Sequence, residues 1–559
     1  MAAPNIPAAK RAGLPVDLDR LTTDGDDWLS PEERYALKTH GVCAQTQPGV
    51  FMIRVRTSGG RVSTDAARGL ADLADQYGKR WLHLTARQQI QLHHIDAHVV
   101  TTVLARVEAL GLTTRSACGH TMRGVMSCAD AGVSLDEPFD CYPDARAVSD
   151  WILGQTPQLN WRLPSRFNFL FGGCEACREH AKVNEAGFVS VIRDGELGYE
   201  LWVGGSLGKS VPTIGFRAAD FVPRAAVLAA ADALIEVYTT YGNFDKPNKA
   251  RMKFLVASLG KDQFLDLFES AYARALQRDY PPPAPLSTPL SSSLAEVLAC
   301  APEGGWGSGV RPQRVPGVAM VTVNVPLGDL DTEDIRALAD LADAFGDERL
   351  YLTKNQNAMF RHVPLEFVPA IRARLADLGL GLEGADQSTD VRVCTGGPVC
   401  ALAITPAQAV GAQLLRNPLL VRNSGLRVHI SGCPNACAQH QIADVGFSGG
   451  KVTINGITRL GYQVWLGGDL RADLLGQVVG RITEVDVPSI TEAIIGVWEA
   501  LRDRGETLSQ TVNRVGVEGF KAQIGAVFTG LWEPGPEPED NQLARLGQAA
   551  RRVLPLAVA

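Results

Sequence analysis

At 559 residues the chain is too long for one hydrophobic core and must divide into several domains. With 45% hydrophobic and 21% charged residues it is neither disordered nor fibrous, and no apolar run is long enough to cross a bilayer. A net charge of −7 argues against nucleic acid as a partner, without forbidding a local basic pocket for an anion. The 11 cysteines are scattered and follow no secretory leader, which points to reduced thiols and a cytoplasmic protein.

Residues 1–45 read as a flexible arm over 1–27 and then a helix. Ser30-Pro31-Glu32-Glu33 supplies a serine cap, a first-turn proline and a glutamate returning to the cap, and the helix should end near Gly41. Phe51 to Arg56 alternates like a strand and runs into the turn Ser58-Gly59-Gly60. Thr64 to Tyr77 forms an amphipathic helix with Leu70, Leu73, Ala74 and Tyr77 on one face. Trp81 to Leu84 is a second strand, Arg87 to His93 a polar part-strand, and Val99 to Leu110 a helix. This order predicts a small sheet with helices on one face over residues 46–112.

The pattern then recurs. Leu70-Ala71-Asp72-Leu73-Ala74-Asp75 matches Leu338-Ala339-Asp340-Leu341-Ala342-Asp343, and Gly78 and Thr85 match Gly346 and Thr353, all at an offset of 268. Gly187-Phe188 echoes Gly446-Phe447, and Leu197-Gly198-Tyr199 echoes Leu460-Gly461-Tyr462. Matches in the same order across both halves imply an internal duplication, with pseudo-twofold symmetry and a site where the halves meet. Pro281-Pro282-Pro283-Ala284-Pro285 and Ser291-Ser292-Ser293 mark a linker over 281–309. A Pro/Glu-rich stretch after Trp532 opens a short tail, 531–559, with helical character expected at its end.

The strongest chemical signal lies between Val393 and His440. Cys394 and Cys400 are six apart in V-C-T-G-G-P-V-C, and Cys433 and Cys437 are four apart in S-G-C-P-N-A-C-A-Q-H. Four thiolates in two close pairs suit a 4Fe–4S cube. Gly396, Gly397 and Gly432 let the backbone run close to it, and Pro398 and Pro434 fix the turns. Spacing alone leaves a structural zinc site or four buried thiols open, although zinc ribbons space their cysteines more tightly than the first pair.

The residue string resembles the cluster signature of the sirohaem-dependent nitrite and sulfite reductases, over roughly residues 30 to 530. The resemblance implies an internally duplicated α+β chain: two ferredoxin-like pieces, 46–112 and 310–383, each followed by a larger α+β piece. Residues 113–280 would face sirohaem and substrate, and 384–530 would hold the cluster. It also implies two cofactors, sirohaem and one 4Fe–4S cluster on Cys394, Cys400, Cys433 and Cys437, with Cys437 bridging to the haem iron. Cys174 and Cys177 stand where the first half repeats Cys433 and Cys437; with no second pair near them they read as packing thiols.

An anion above the haem needs fixed cations that bind its oxygens and relay protons. By resemblance these are Arg54, Arg123, where the family's Asp and Asn neighbours are His120 and Gly124, and Arg166, with Asn168 beside it. Sulfite reductases carry lysine at the last two positions; nitrite reductases tend to carry lysine then asparagine. One cation fewer suits nitrite, which bears less charge than sulfite. Sirohaem carries eight carboxylates, and by resemblance its contacts are Arg87, Gln91, His93 and Arg251; Asn355 and Gln356, which repeat Arg87 and Gln88 in the second half, form a polar run after a strand that suits the same macrocycle. Cys118 reads as a buried inert thiol near Arg123.

The reading is a cytoplasmic reductase taking nitrite to ammonia. The resemblance implies a separate donor protein, ferredoxin, and no G-x-G-x-x-G marks a nicotinamide or flavin module in the chain. The alternatives are assimilatory sulfite reduction on the same scaffold, a precorrin-modifying oxygenase of cobalamin synthesis, and a non-enzymatic metal-stabilised binding module. The sequence leaves the oligomeric state open, a monomer included.

Overall fold

Strand Val50–Val55 buries Phe51, Ile53 and Val55 on one face and places Arg54 on the other, as period-2 alternation requires. It is second in a five-stranded sheet ordered Val42–Ala44, Val50–Val55, Ile90–Asp96, Trp81–Leu84 and Asp329–Asp331. The last strand comes from the second half of the chain. The second half answers with its own sheet, ordered Val310–Pro312, Val318–Val323, Ala358–Pro364, Arg349–Leu352 and Arg61–Ser63. Each half therefore lends one strand to the other's sheet. This computed structural model describes residues 3–286, 293–302, 305–423, 425–528, 530 and 532–534.

The exchange explains why the two ferredoxin-like pieces share one core. Leu70, Leu73, Leu82 and Leu92 pack in the same cluster as Leu338, Leu341, Leu350 and Phe360. Helices Thr64–Tyr77 and Thr332–Phe345 lie against each other across the pseudo-twofold axis. Arg68 pairs with Asp340 and Arg336 pairs with Asp72, both at 2.7 Å, so one ion pair is the symmetry image of the other.

Each larger piece has its own sheet and core. In the first, Phe216–Pro223, Glu196–Val203, Ala186–Arg193, Phe169–Gly172 and Met126–Ser127 run in that order. In the second, Gln477–Thr483, Ile457–Leu466, Val445–Ile454, Val428–Ser431 and Arg392–Val393 repeat it, and Trp532–Pro534 adds a strand at the outer edge. In both, the last two strands named before that outer edge pair in parallel, and a cysteine follows the final one: Cys128 and Cys394.

The elements expected between Ser30 and Leu110 are present, including the Ser30–Glu33 capping box and a helix over Thr64–Tyr77. Residues 1–27 differ from the expected flexible arm. From Ala3 onward they hold two short helices, Ile6–Arg11 capped by Asn5 and Leu18–Asp24 capped by Asp17. Lys10 fastens the first by donating to the carbonyls of Leu163 and His120, and Leu21 is fully buried under the second. These anchors are single residues that leave no hydrophobic periodicity. Within the expected linker, helix Leu294–Ala299 starts at a Ser293–Glu296 capping box. Ser291, Ser292 and the tail beyond Pro534 lie outside the described residues. No described helix is long and apolar enough to cross a membrane.

Candidate active site

The two cysteine loops are built around one carbonyl. Gly432 O accepts from the Ile404 and Thr405 amides at 2.8 and 3.1 Å, lacing the Cys394–Cys400 loop to the Cys433–Cys437 loop. The Gly432 amide donates to Cys394 Sγ at 3.2 Å. The first half closes the far side: Thr46 N donates to Val399 O, and the Gln47 side chain to Pro398 O. The cysteine set thus lies at the seam between halves. Burial raises Cys394, Cys400 and Cys433 above the usual thiol range, with Cys437 adding to the effect in each case. They need a cationic centre to persist as thiolates. No three of these four sulfurs lie within 4.8 Å of one another, a spread too wide for one zinc ion and suited to a multi-iron cluster. Cys437 is the exposed one of the four.

Cys437 faces a pocket of arginines. Arg54, Arg123 and Arg166 all lie within its electrostatic reach. Burial works against the charge on Arg54, but Cys118, Cys43, Cys437 and Cys400 outweigh it and raise its pKa. Arg166 is pushed down to about 9, first by Arg251 and then by burial. Arg87 is pushed down to about 9 by burial and then by Arg123. A Cβ at Gly208 would lie 3.3 Å from Arg251 Nη1 and 3.4 Å from Arg166 Nη2, so these two guanidiniums are neighbours. Arg123 is fixed by donating to the Ala117 and Gly119 carbonyls. Arg54 and Arg166 make no side-chain hydrogen bond among the described residues, and Arg54 Nε, Arg87 Nε and Arg87 Nη2 are buried without a partner.

So many mutually repelling guanidiniums with orphaned donors fit a polyanionic ring and a small anion. They would be costly in a site meant to stay empty. Comparison with known proteins agrees. The nitrite and sulphite reductase 4Fe–4S domain matches residues 118–276 and 386–529, and the nitrite/sulfite reductase ferredoxin-like half domain matches 44–110 and 311–378. The chain belongs to the nitrite and sulfite reductase family. It is an oxidoreductase of that family, and its cofactors are sirohaem and a 4Fe–4S cluster.

Among its relatives is a ferredoxin–nitrite reductase of Synechococcus elongatus, 29% identical over 87% of this chain and 94% of that protein. A ferredoxin sulfite reductase of Mycolicibacterium paratuberculosis is 28% identical over 83% of this chain and 82% of its own length. The structure of the Mycobacterium tuberculosis NirA protein superposes with a TM-score of 0.79 at 25% identity, covering 93% of this chain and 98% of that one.

For this reductase the remaining expected contacts fall into two sets. Arg54, Gln91, His83 and Asp329 are register neighbours, forming a polar row across the first sheet on the face away from its core. His93 stacks on Trp81 with ring centroids 4.2 Å apart and bonds Gln91 Oε1 at 3.1 Å; its Nδ1 is buried and unpartnered. Asn355 and Gln356 are occupied by protein instead. Asn355 pairs with Asp386 and Arg392. Gln356 Oε1 accepts from Val393 N at 2.9 Å, and its Nε2 donates to Leu84 O at 2.8 Å. Gln356 thereby holds the residue before Cys394 in place. Asn168 donates through Nδ2 to Glu185, while its Oδ1 is buried without a partner.

Sequence reasoning missed Glu185, which is fully buried and ion-paired with Arg251. An isolated glutamate beside a strand carries no signal; only the fold sets it among the arginines. It also missed that Cys43 hydrogen-bonds Cys118 beside Arg54, an arrangement that holds the Cys118 thiol below its usual range and Cys43 above it. Finally, Cys174 and Cys177 do have cysteine company: Cys128 lies with them.

Proposed function

We propose that this reductase takes nitrite to ammonia in the cytoplasm, with electrons from reduced ferredoxin. The observation that supports nitrite over sulfite is position 168. A neutral amide stands there, and its NH2 group is given to Glu185. Glu185 is in turn neutralised by Arg251. The free cations facing Cys437 are then Arg54, Arg123 and Arg166, a set suited to an anion of single charge.

When bound, the coupled sirohaem and cluster supply the electrons for the six-electron reduction. The chain's own side chains do the rest. Arg54 and Arg166, free of protein hydrogen bonds, are placed to donate to the anion's oxygens. Arg123, held by two carbonyls, fixes the pocket's shape. Arginines keep their charge and orient the anion, so protons enter through water hydrogen-bonded to these guanidiniums. The deciding experiment is steady-state turnover of each anion with reduced ferredoxin or a viologen. A large nitrite preference is expected; a sulfite preference would move the protein to sulfur assimilation on the same scaffold.

A further inference from the structure

The first half carries a contracted counterpart of the cluster site. Cys128, Cys174 and Cys177 bring their three sulfurs within 4.8 Å of one another, all buried, and are the group among the described residues so arranged. Their positions repeat those of the cluster loops. Cys128 follows the strand Met126–Ser127 as Cys394 follows Arg392–Val393, each at the parallel edge of its sheet. Gly173 N donates to Cys128 Sγ at 3.1 Å, as Gly432 N donates to Cys394 Sγ at 3.2 Å. Gln88 accepts from Ser127 N at 3.2 Å, as Gln356 accepts from Val393 N. The two glutamines are 268 residues apart, the offset of the duplication, and both have positive φ, 56° and 68°.

The two sites differ in size. The cluster sulfurs are spread out, whereas the first-half trio is close. Tetrahedral zinc, with Zn–S near 2.3 Å, spaces its sulfurs by roughly 3.8 Å, inside the limit this trio meets. Two backbone amides, Gly173 and Cys174, already point at Cys128 Sγ, at 3.1 and 3.4 Å. A fourth thiol lies nearby, outside the 4.8 Å limit that the trio meets. Cys141 Sγ lies 3.6 Å from the Phe171 carbonyl that Cys128 Sγ also approaches, at 3.9 Å. Beside it Glu137, only 4% exposed, has Oε2 buried with no partner. Lys354, reaching from the second half, lies within electrostatic range of Cys174 and Cys177 and offsets the anionic charge of a thiolate-rich site.

We infer that Cys128, Cys174 and Cys177 form a second metal site that takes a single soft divalent ion of the zinc type, its fourth position filled by water or by Cys141 drawn in from nearby. The duplication thus kept a thiolate site in each half, one widened for a multi-iron cluster and one closed around one ion. As a closed site it would tie helix Glu175–Ala181 to the end of the sheet.

The test uses the holoenzyme from zinc-supplemented cells, dialysed against a chelator. We expect one zinc per chain beyond the iron, and zinc-edge X-ray absorption showing a sulfur shell at about 2.3 Å. Cys128→Ser should lose the zinc while keeping wild-type iron content and visible spectrum. Zinc-free protein, or a shell of nitrogen and oxygen alone, overturns the inference. So does a Cys174–Cys177 disulfide in the mass of the unreduced protein, which would make this pair a redox element instead. Should Cys128→Ser fail to fold, the absorption measurement on the wild-type protein decides the matter alone.

Discussion

Around Cys437 the arginines outnumber their carboxylates. Arg87, Arg166 and Arg251 share Glu185 while Arg54 and Arg123 add further positive charge, and like-charge proximity is part of what lowers Arg87, Arg123 and Arg166. Such a pocket favours anions before any chemistry occurs. Replacing Asn168 by lysine would add a cation where the amide now meets Glu185, and the sulfite-to-nitrite ratio of kcat/KM should rise about tenfold or more, on the order of 1.4 kcal/mol. An unchanged ratio would remove position 168 as a determinant. Cys437→Ser should abolish the electronic coupling of cluster and haem seen in the visible and paramagnetic-resonance spectra, with turnover falling to background. Unaltered spectra would mean that another residue makes the bridge. At Asp390, burial and then Asp386 push the carboxyl up to about 7. The unfolded chain titrates near 3.9. Between those values the folded state holds a proton that the unfolded state has released. This contribution is therefore full below about pH 4 and is lost as pH rises through about 7. Asp390→Asn keeps an acceptor for Asn357 and the Asp386 amide, so its melting temperature should vary less than the wild type's between about pH 5 and 7.5. Parallel curves for the two proteins would count against this assignment.

At the scale of elements, what the sequence made legible was periodicity and punctuation. Helix Thr64–Tyr77 and strand Trp81–Leu84 could be placed to the residue because their apolar spacing and their Ser63 and Gly78 boundaries agree. The four cysteines between Cys394 and Cys437 stood out because a string of rare residues carries them, and the fold laces their two loops together. Strand exchange was not legible, since Arg61–Ser63 and Asp329–Asp331 are three residues long and show no alternation worth the name. Nor were Asn355 and Gln356, whose polarity after a strand suggests a ligand as readily as a neighbouring loop. The close approach of strand Val445–Ile454 to the cluster loops was equally hidden, and it makes a clean experiment. A Cβ at Gly449 would come within 2.2 Å of Thr405 Oγ1 and 2.6 Å of Gly432 O. At Gly450 a Cβ meets nothing within 4 Å. Gly449→Ala should therefore cost about 1–3 kcal/mol and lower the iron content, while Gly450→Ala leaves both near wild type. Equal effects of the two substitutions in thermal melts and iron assays would show that the loops are looser than this packing implies.

For the whole molecule the duplication is not two beads joined by a string. The halves trade strands, share the Leu70–Leu338 core and exchange symmetric ion pairs, while the pocket proposed for the cofactors draws Arg54 to Arg251 from one half and Cys394 to Cys437 from the other. Each ion pair is partly exposed and on its own is worth about 0–1 kcal/mol, so the shared core must carry the association. The covalent link between Leu286 and Ser293 is then dispensable once folding is complete. A protease site inserted there and cleaved in the purified enzyme should give two fragments that elute together, retain the visible spectrum and turn over substrate at the uncut rate. Either half expressed alone lacks the strand that completes its sheet and half of its central core, and should be insoluble or unfolded. Fragments that separate on gel filtration while each keeps native circular dichroism would show instead that the halves are autonomous and that the exchanged strands contribute little.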